Sequence, residues 1–395
     1  MCAPGARVTH PLPSPAVNAS LFRTRSAFRA LAAVAALAVL PACGGGDGPT
    51  QTHTLSVTAT GKLERGYTVT VAVSDAGAPL AEGAYTLTVQ PADAGVVLGG
   101  GQVKLAKAGS VTINASANGI VGKTTLTVAA PPIVVFDRSV NGNRDIWRVD
   151  LDGQNLAQLT TDASEDQDPA VAQGKVVWIS FRAGNGEVFS MPLAGGTSTR
   201  LTNTPTGEST PSLSADGTRL AYALEISGAT KVFSANSDGS GAARVTPNDF
   251  GFDGVIETAP SWAGGNKLAF VATANGSADI FQGTPGAAPT LLAGGNTAEV
   301  EPAWSPDAAT LAFVSNRGGT TEIYTLNVAS GVVTQLTSGA GTKSQPAWTP
   351  DGRVVYLETL AGSRLRWVDP AQPTIVTTID TGTGTVGHPA VAPAP

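Results

Sequence analysis

Four short signals recur six times between Ile133 and the C-terminus, in the same order each time. The first is an apolar run ending on an aromatic: Val134-Val135-Phe136, Val176-Val177-Trp178, Leu220-Ala221-Tyr222, Leu268-Ala269-Phe270, Leu311-Ala312-Phe313 and Val354-Val355-Tyr356. Successive aromatics lie 42, 44, 48, 43 and 43 residues apart. A second run follows (Ile146-Trp147, Val188-Phe189, Ile323-Tyr324), then a third (Gln158-Leu159-Thr160, Arg200-Leu201-Thr202, Gln335-Leu336-Thr337). The fourth starts at a proline: Pro169, Pro211, Pro260, Pro302, Pro346 and Pro389. A unit of this length with four strands cannot bury both faces of its own sheet, so it must stack between neighbours.

Four strands in about 44 residues is the size of one β-propeller blade. Pro302-Ala303-Trp304-Ser305-Pro306-Asp307, then Leu311-Ala312-Phe313-Val314-Ser315-Asn316-Arg317 and Glu322-Ile323-Tyr324, resembles the TolB-type propeller repeat. Pro346-Ala347-Trp348-Thr349-Pro350-Asp351-Gly352 repeats its opening. The resemblance covers residues 133–395 and implies a six-bladed β-propeller used for protein interaction in the periplasm. The chain enters on the second strand of a blade and ends on the innermost strand of another. The C-terminal strand is therefore expected beside Ile133–Phe136, closing the ring as one strand plus three. Eighteen of the 22 aromatics fall in the repeats, at fixed places that predict packing between blades.

The first 130 residues are of another kind. Arg23, Arg25 and Arg29 precede an apolar run from Ala30 to Leu40. As a helix that run is about 16 Å long, half of a hydrocarbon core and too short to span it. Basic flank, short apolar core and small-residue boundary are the layout of an export signal. Leu40-Pro41-Ala42-Cys43 resembles a bacterial lipobox. The resemblance implies a signal peptide over 1–42, lipid attachment at Cys43 and an outer-membrane lipoprotein facing the periplasm or the surface. Residues 43–50 read as a glycine-rich tether. From 51 to 130, runs such as Tyr67-Thr68-Val69-Thr70-Val71 and Thr124-Thr125-Leu126-Thr127-Val128 alternate apolar and hydroxyl side chains. About seven such strands resemble a small immunoglobulin-like β-sandwich. The fold class is all-β throughout.

Without the four leader arginines, 20 basic residues face 30 acidic ones, a net charge of −10. A chain that acidic lacks the electrostatic footprint for nucleic acid. The three histidines, His10, His53 and His388, are scattered, and no Gly-x-Ser-x-Gly elbow occurs. No catalytic or metal-ligating set is expected, and the protein reads as a non-enzymatic monomer without a cofactor. One constellation stands out. Asp166, Glu208, Glu257 and Glu299 lie three residues before a repeat proline, where Lys343 and Val386 stand in the last two repeats. Asp168, Glu301, Gln345 and His388 come immediately before it. If those loops lead into innermost strands, the acids ring one mouth of a central channel and are able to hold a cation or a basic segment. Phe250 and Phe252 in the longest repeat, and Trp367, fall off register and are candidates for exposed contacts. The leading expectation is an envelope protein acting as a protein-interaction scaffold. The alternatives are a carbohydrate- or peptidoglycan-binding surface propeller and, behind it, a polysaccharide-acting enzyme.

Overall fold

The computed structural model describes residues 53–246, 255–263, 267–274 and 276–394. Cys43, Phe250 and Phe252 lie outside the described residues. Every regular element among those described is a strand.

Residues 55–128 form two sheets. One holds β1 (Leu55–Thr60), β2 (Thr68–Asp75), β6 (Gln102–Leu105) and β5 (Gly95–Gly99), with β3 (Ala78–Pro79) on β2. The other holds β4 (Thr86–Gln90), β7 (Gly109–Ala117) and β8 (Ile120–Val128). Period-two alternation sends Val57, Val69, Val71, Val103, Ile113 and Leu126 into a shared core while Thr68, Thr70, Thr125 and Thr127 face water.

From Ile133 the described chain forms six four-stranded antiparallel sheets. Five are built from consecutive strands. The other joins β9 (Ile133–Val140), β10 (Asn143–Asp150) and β11 (Ala157–Gln158) to the C-terminal β32 (Thr385–Ala392), which pairs with β9 as the repeat phase requires. The innermost strands are β12 (Asp166–Ala172), β16 (Glu208–Leu213), β20 (Ile256–Trp262), β24 (Glu299–Trp304), β28 (Thr342–Trp348) and β32. Each lies against its two neighbours, and β32 touches both β28 and β12, so the ring closes. This is a propeller.

The second strands read as nearly continuous apolar runs because both sheet faces are covered. Val176 and Trp178 pack toward the first sheet, while Val177 and Ile179 pack toward the third. The same division recurs at each junction, giving six separate cores between adjacent sheets. The repeat aromatics Phe136, Trp178, Phe270 and Phe313 have no exposed surface, so truncation of any to alanine costs about 3–5 kcal/mol.

Two antiparallel turns tie the N-terminal sheets to the ring. Arg353, on the turn after β28, donates to Glu64 at 3.0 Å, and Lys62 reaches Asp351 at 2.8 Å. Arg65 forks onto Asp150 (2.5 Å) and Asp152 (2.8 Å) after β10. Both turns lie on one rim, away from the loops that lead into the innermost strands. The N-terminal sheets thus dock on one rim, against the sheets that hold β10 and β28, and the rim that leads into the innermost strands is clear of these contacts.

Candidate functional site

The innermost strands share one local irregularity. Each carries a β-bulge, its register shifting across Gln167/Ala170, Ser209/Ser212, Thr258/Ser261, Val300/Ala303, Ser344/Ala347 and Gly387/Ala390. The cause is the repeat proline, which has no N–H for the ladder. The residue before it adopts a left-handed backbone in all six cases: Asp168 (φ 53°), Thr210 (45°), Ala259 (49°), Glu301 (54°), Gln345 (54°) and His388 (45°). None is glycine, so each costs about 1–2 kcal/mol. The bulge turns these six side chains toward the axis, where with the prolines they line a cavity of about 200 Å³.

Around this collar a residue in one sheet accepts a hydrogen bond from the next. The Gln345 backbone N–H donates to Glu301 Oε2 (2.5 Å), and the His388 backbone N–H donates to Gln345 side-chain Oε1 (2.7 Å). His388 closes the seam with its ring. Its Nδ1 is 2.6 Å from Asp137 Oδ2, and its Nε2 is 3.0 Å from Asp168 Oδ1. Asp137 is fully buried on β9 and also receives Arg144 Nη1 at 2.5 Å and the Asp168 amide at 3.3 Å. Burial works against a charged imidazole. The Asp137 hydrogen bond and the charges of Asp168, Asp137 and Glu301 outweigh it, and His388 is raised above its ordinary value. Burial raises Asp168 and Glu301 too, with His388 pulling each the other way.

The six acids singled out in the sequence divide into two groups. Asp168 and Glu301 line the channel. Asp166, Glu208, Glu257 and Glu299 do not; they are buried at the start of the innermost strands and turned into the sheets. Asp166 accepts Arg182 at 2.9 Å, and Glu299 accepts Arg317 at 2.6 Å. Glu257 takes the Thr246 hydroxyl at 2.5 Å, with Lys231 at 3.6 Å. Glu208 takes Thr204 and sits across Thr202 from Glu187; burial first, then Glu187, pushes it up to about 7. Lys343 at the equivalent place reverses the sign and reaches Glu322 at 3.4 Å. These positions lie within strands, not in the loops expected, and the bulge breaks the period-two alternation that would otherwise put them on the same face as the channel set.

Asp137 escaped the sequence reading, although a signal was present. It follows the repeat aromatic, where the other repeats carry Ile179, Ala223, Val271, Val314 and Leu357. A lone acid in an otherwise apolar column faces the lone histidine. Trp367, expected to be exposed, is half-buried, with the Arg353 guanidinium 5.0 Å from its ring.

Chemically, the collar offers two carboxylates, a hydroxyl, a side-chain amide and an anchored imidazole. Ligand atoms of Asp137, Asp168 and His388 lie within 4.8 Å of one another. A divalent ion there would have to replace contacts in which both imidazole nitrogens face carboxylates. The cavity has room for a few waters, an ion or one side chain, and is too small for a sugar chain.

The TolB beta propeller domain family, PD40, matches residues 249–394. The propeller is TolB-like. A TolB homologue of Chlorobium luteolum is 28% identical over 163 residues, 41% of this chain and 36% of that protein. The Tol-Pal system protein TolB of Francisella tularensis is 30% identical over 191 residues, 47% of this chain and 43% of that one. The chain thus spans less than half the length of these curated relatives. The crystal structure of TolB from Acinetobacter baumannii superposes with a TM-score of 0.62 at 18% identity, covering 79% of this chain and 83% of that one. At that identity the likeness concerns the fold alone.

Proposed function

We propose that this is an envelope protein whose TolB-like six-bladed propeller serves as a rigid protein-interaction scaffold, held at the outer membrane through a lipid on Cys43. The domains are a signal peptide over 1–42, a tether over 43–50, an immunoglobulin-like module over 51–130 and a propeller over 133–395. The observation that carries the reading is the closed ring, with the N-terminal sheets docked on one rim and the rim that leads into the innermost strands clear of them. Its axial cavity is too small for a polymeric substrate, so recognition falls to rim and loops. The partner is an envelope protein approaching the open rim. Asp168 and Glu301 supply its acidic centre, which suits a basic side chain or a cation. Asp166, Glu208, Glu257 and Glu299 act behind them by fixing the strand starts. Phe250 and Phe252 are further contact candidates.

Photocrosslinking in intact envelopes tests this. Probes at Asn203, Asn296 and Ala340 report on the open rim, and probes at Gln173, Ala215 and Asp307 on the rim that carries the N-terminal sheets. All six residues are exposed. One envelope protein recovered from all three open-rim positions and none of the others supports the proposal. Equal recovery from both rims overturns it, as do hits on a glycan array without any protein crosslink.

A further inference from the structure

A sheet edge left unpaired recruits other strands, and proteins blunt such edges by making them short or charged. Five of the outermost strands follow that rule. β11, β15 (Thr199–Arg200) and β19 (Ala243–Arg244) have two residues each, β27 (Val333–Gln335) three and β23 (Thr290–Ala293) four. The sixth is protected only at its start, by Pro373 and a bulge in its ladder. β31 (Gln372–Thr378) runs for seven residues, among the described residues pairs only with β30 (Ser363–Asp369), in regular register over Val376–Thr378, and carries no charge. Ile375 and Val376 are 56% and 39% exposed.

This edge borders a cleft of about 830 Å³ between the N-terminal sheets and the ring. Ile375 and Thr377 form one wall together with Trp367, which is directly across the ladder from Thr377. Lys104 and Lys107, both exposed at the end of β6, stand on the opposite lip. Arg65 and Arg353 lie in the floor with their forks already on Asp150, Asp152 and Glu64. The lysines are therefore the cations a ligand meets, Lys107 sharing its charge with Asp93. Among the charged lining residues four are basic and two, Glu64 and Asp152, are acidic. That local excess stands out in a chain that carries −10 beyond its leader.

We propose that β31 is a docking edge for an extended acidic polypeptide segment of a partner, which adds as a fifth strand to this sheet. Its main chain pairs with the free edge of β31. Alternate side chains then point into the cleft, where carboxylates face Lys104 and Lys107. The inference rests on reading the protein as an interaction scaffold but places this contact away from the channel and the open rim.

The test uses the mature protein and a fluorescein-labelled ten-residue peptide alternating valine and glutamate, followed by anisotropy. The wild type is expected to bind it, at least tenfold more tightly than a valine–lysine counterpart, with affinity falling as salt rises. Ile375→Lys with Val376→Lys should weaken binding at least tenfold, and both sites are exposed enough to leave the melting temperature unchanged. Lys104→Glu with Lys107→Glu should reverse the preference toward the valine–lysine peptide. Equal affinity for both peptides, or unchanged binding by the edge variant, overturns the proposal. So does a dimer that the edge variant dissolves, which would make a second copy the occupant, or displacement of the peptide by a muropeptide. Open-rim crosslinks that persist in the edge variant while peptide binding fails in the wild type would refute this docking edge and leave the scaffold reading standing.

Discussion

Glu208→Gln isolates the electrostatics at the start of one innermost strand. Glu208 is 3% exposed and lies across the Thr202 hydroxyl from Glu187; each carboxylate is 2.8 Å from that oxygen. A hydroxyl has one proton to give, so two ionised carboxylates leave one oxygen facing it without a donor. A rise from 4.5 to about 7 corresponds to a preference for the neutral form of about 3 kcal/mol. The sign follows from linkage. The folded state holds this proton more tightly than the unfolded chain, so the contribution is fully present below about pH 4.5 and is lost as pH rises through about 7. Glutamine keeps the shape and supplies an N–H where the protonated acid supplies an O–H. The variant should match the wild type near pH 4.5 and exceed it by about 1–3 kcal/mol at pH 8.5, the lower figure allowing for Glu187 sharing the shift. Urea unfolding across that range measures it. His388, Asp168 and Glu301 are also raised and weaken the fold in the same direction as pH climbs, but they cancel between variant and wild type. Parallel stability profiles for the two proteins would refute the reasoning.

Arg317→Met removes the cation 2.6 Å from fully buried Glu299 and should cost about 2–3 kcal/mol in urea unfolding, since Arg317 itself is partly wet. A loss below about 0.5 kcal/mol would make the pair ornamental. Deleting Val386–Pro395 removes most of β32 and with it the His388 contacts to Asp137 and Asp168. Thermal unfolding should shift down by roughly 10 °C or more or lose its cooperativity, and an unchanged melt would contradict closure through that strand.

The repeat architecture was legible because each strand's packing problem is local. Val176-Val177-Trp178 is apolar on both faces, and only a sheet covered on both sides accommodates that. The seam was legible for a similar reason: a final Pro389-Ala390-Val391 without its three partners has one place to go. The site was legible only in part. Read as loop residues leading into an innermost strand, Asp166 and Asp168 fall together on one channel mouth, and residues two apart on a regular strand would share a face as well. The bulge at the proline inserts an extra residue and breaks that alternation. One of the pair turns to Arg182, the other to the axis.

What the chain determines by itself is the period, the pleat and the two-sided burial of its strands, because these depend on neighbours within one repeat of about 44 residues. Whether an acid meets a cation, a threonine or a channel depends on which side chains from other repeats arrive beside it. Asp137 and His388 are 251 residues apart and meet at 2.6 Å only because the ring closes. Lys62 and Asp351, 289 residues apart, meet only because the N-terminal sheets settle on one rim. Charge placement of this kind is a property of the closed ring, since electrostatic contact is set by distance in space and the sequence specifies distance only along the chain.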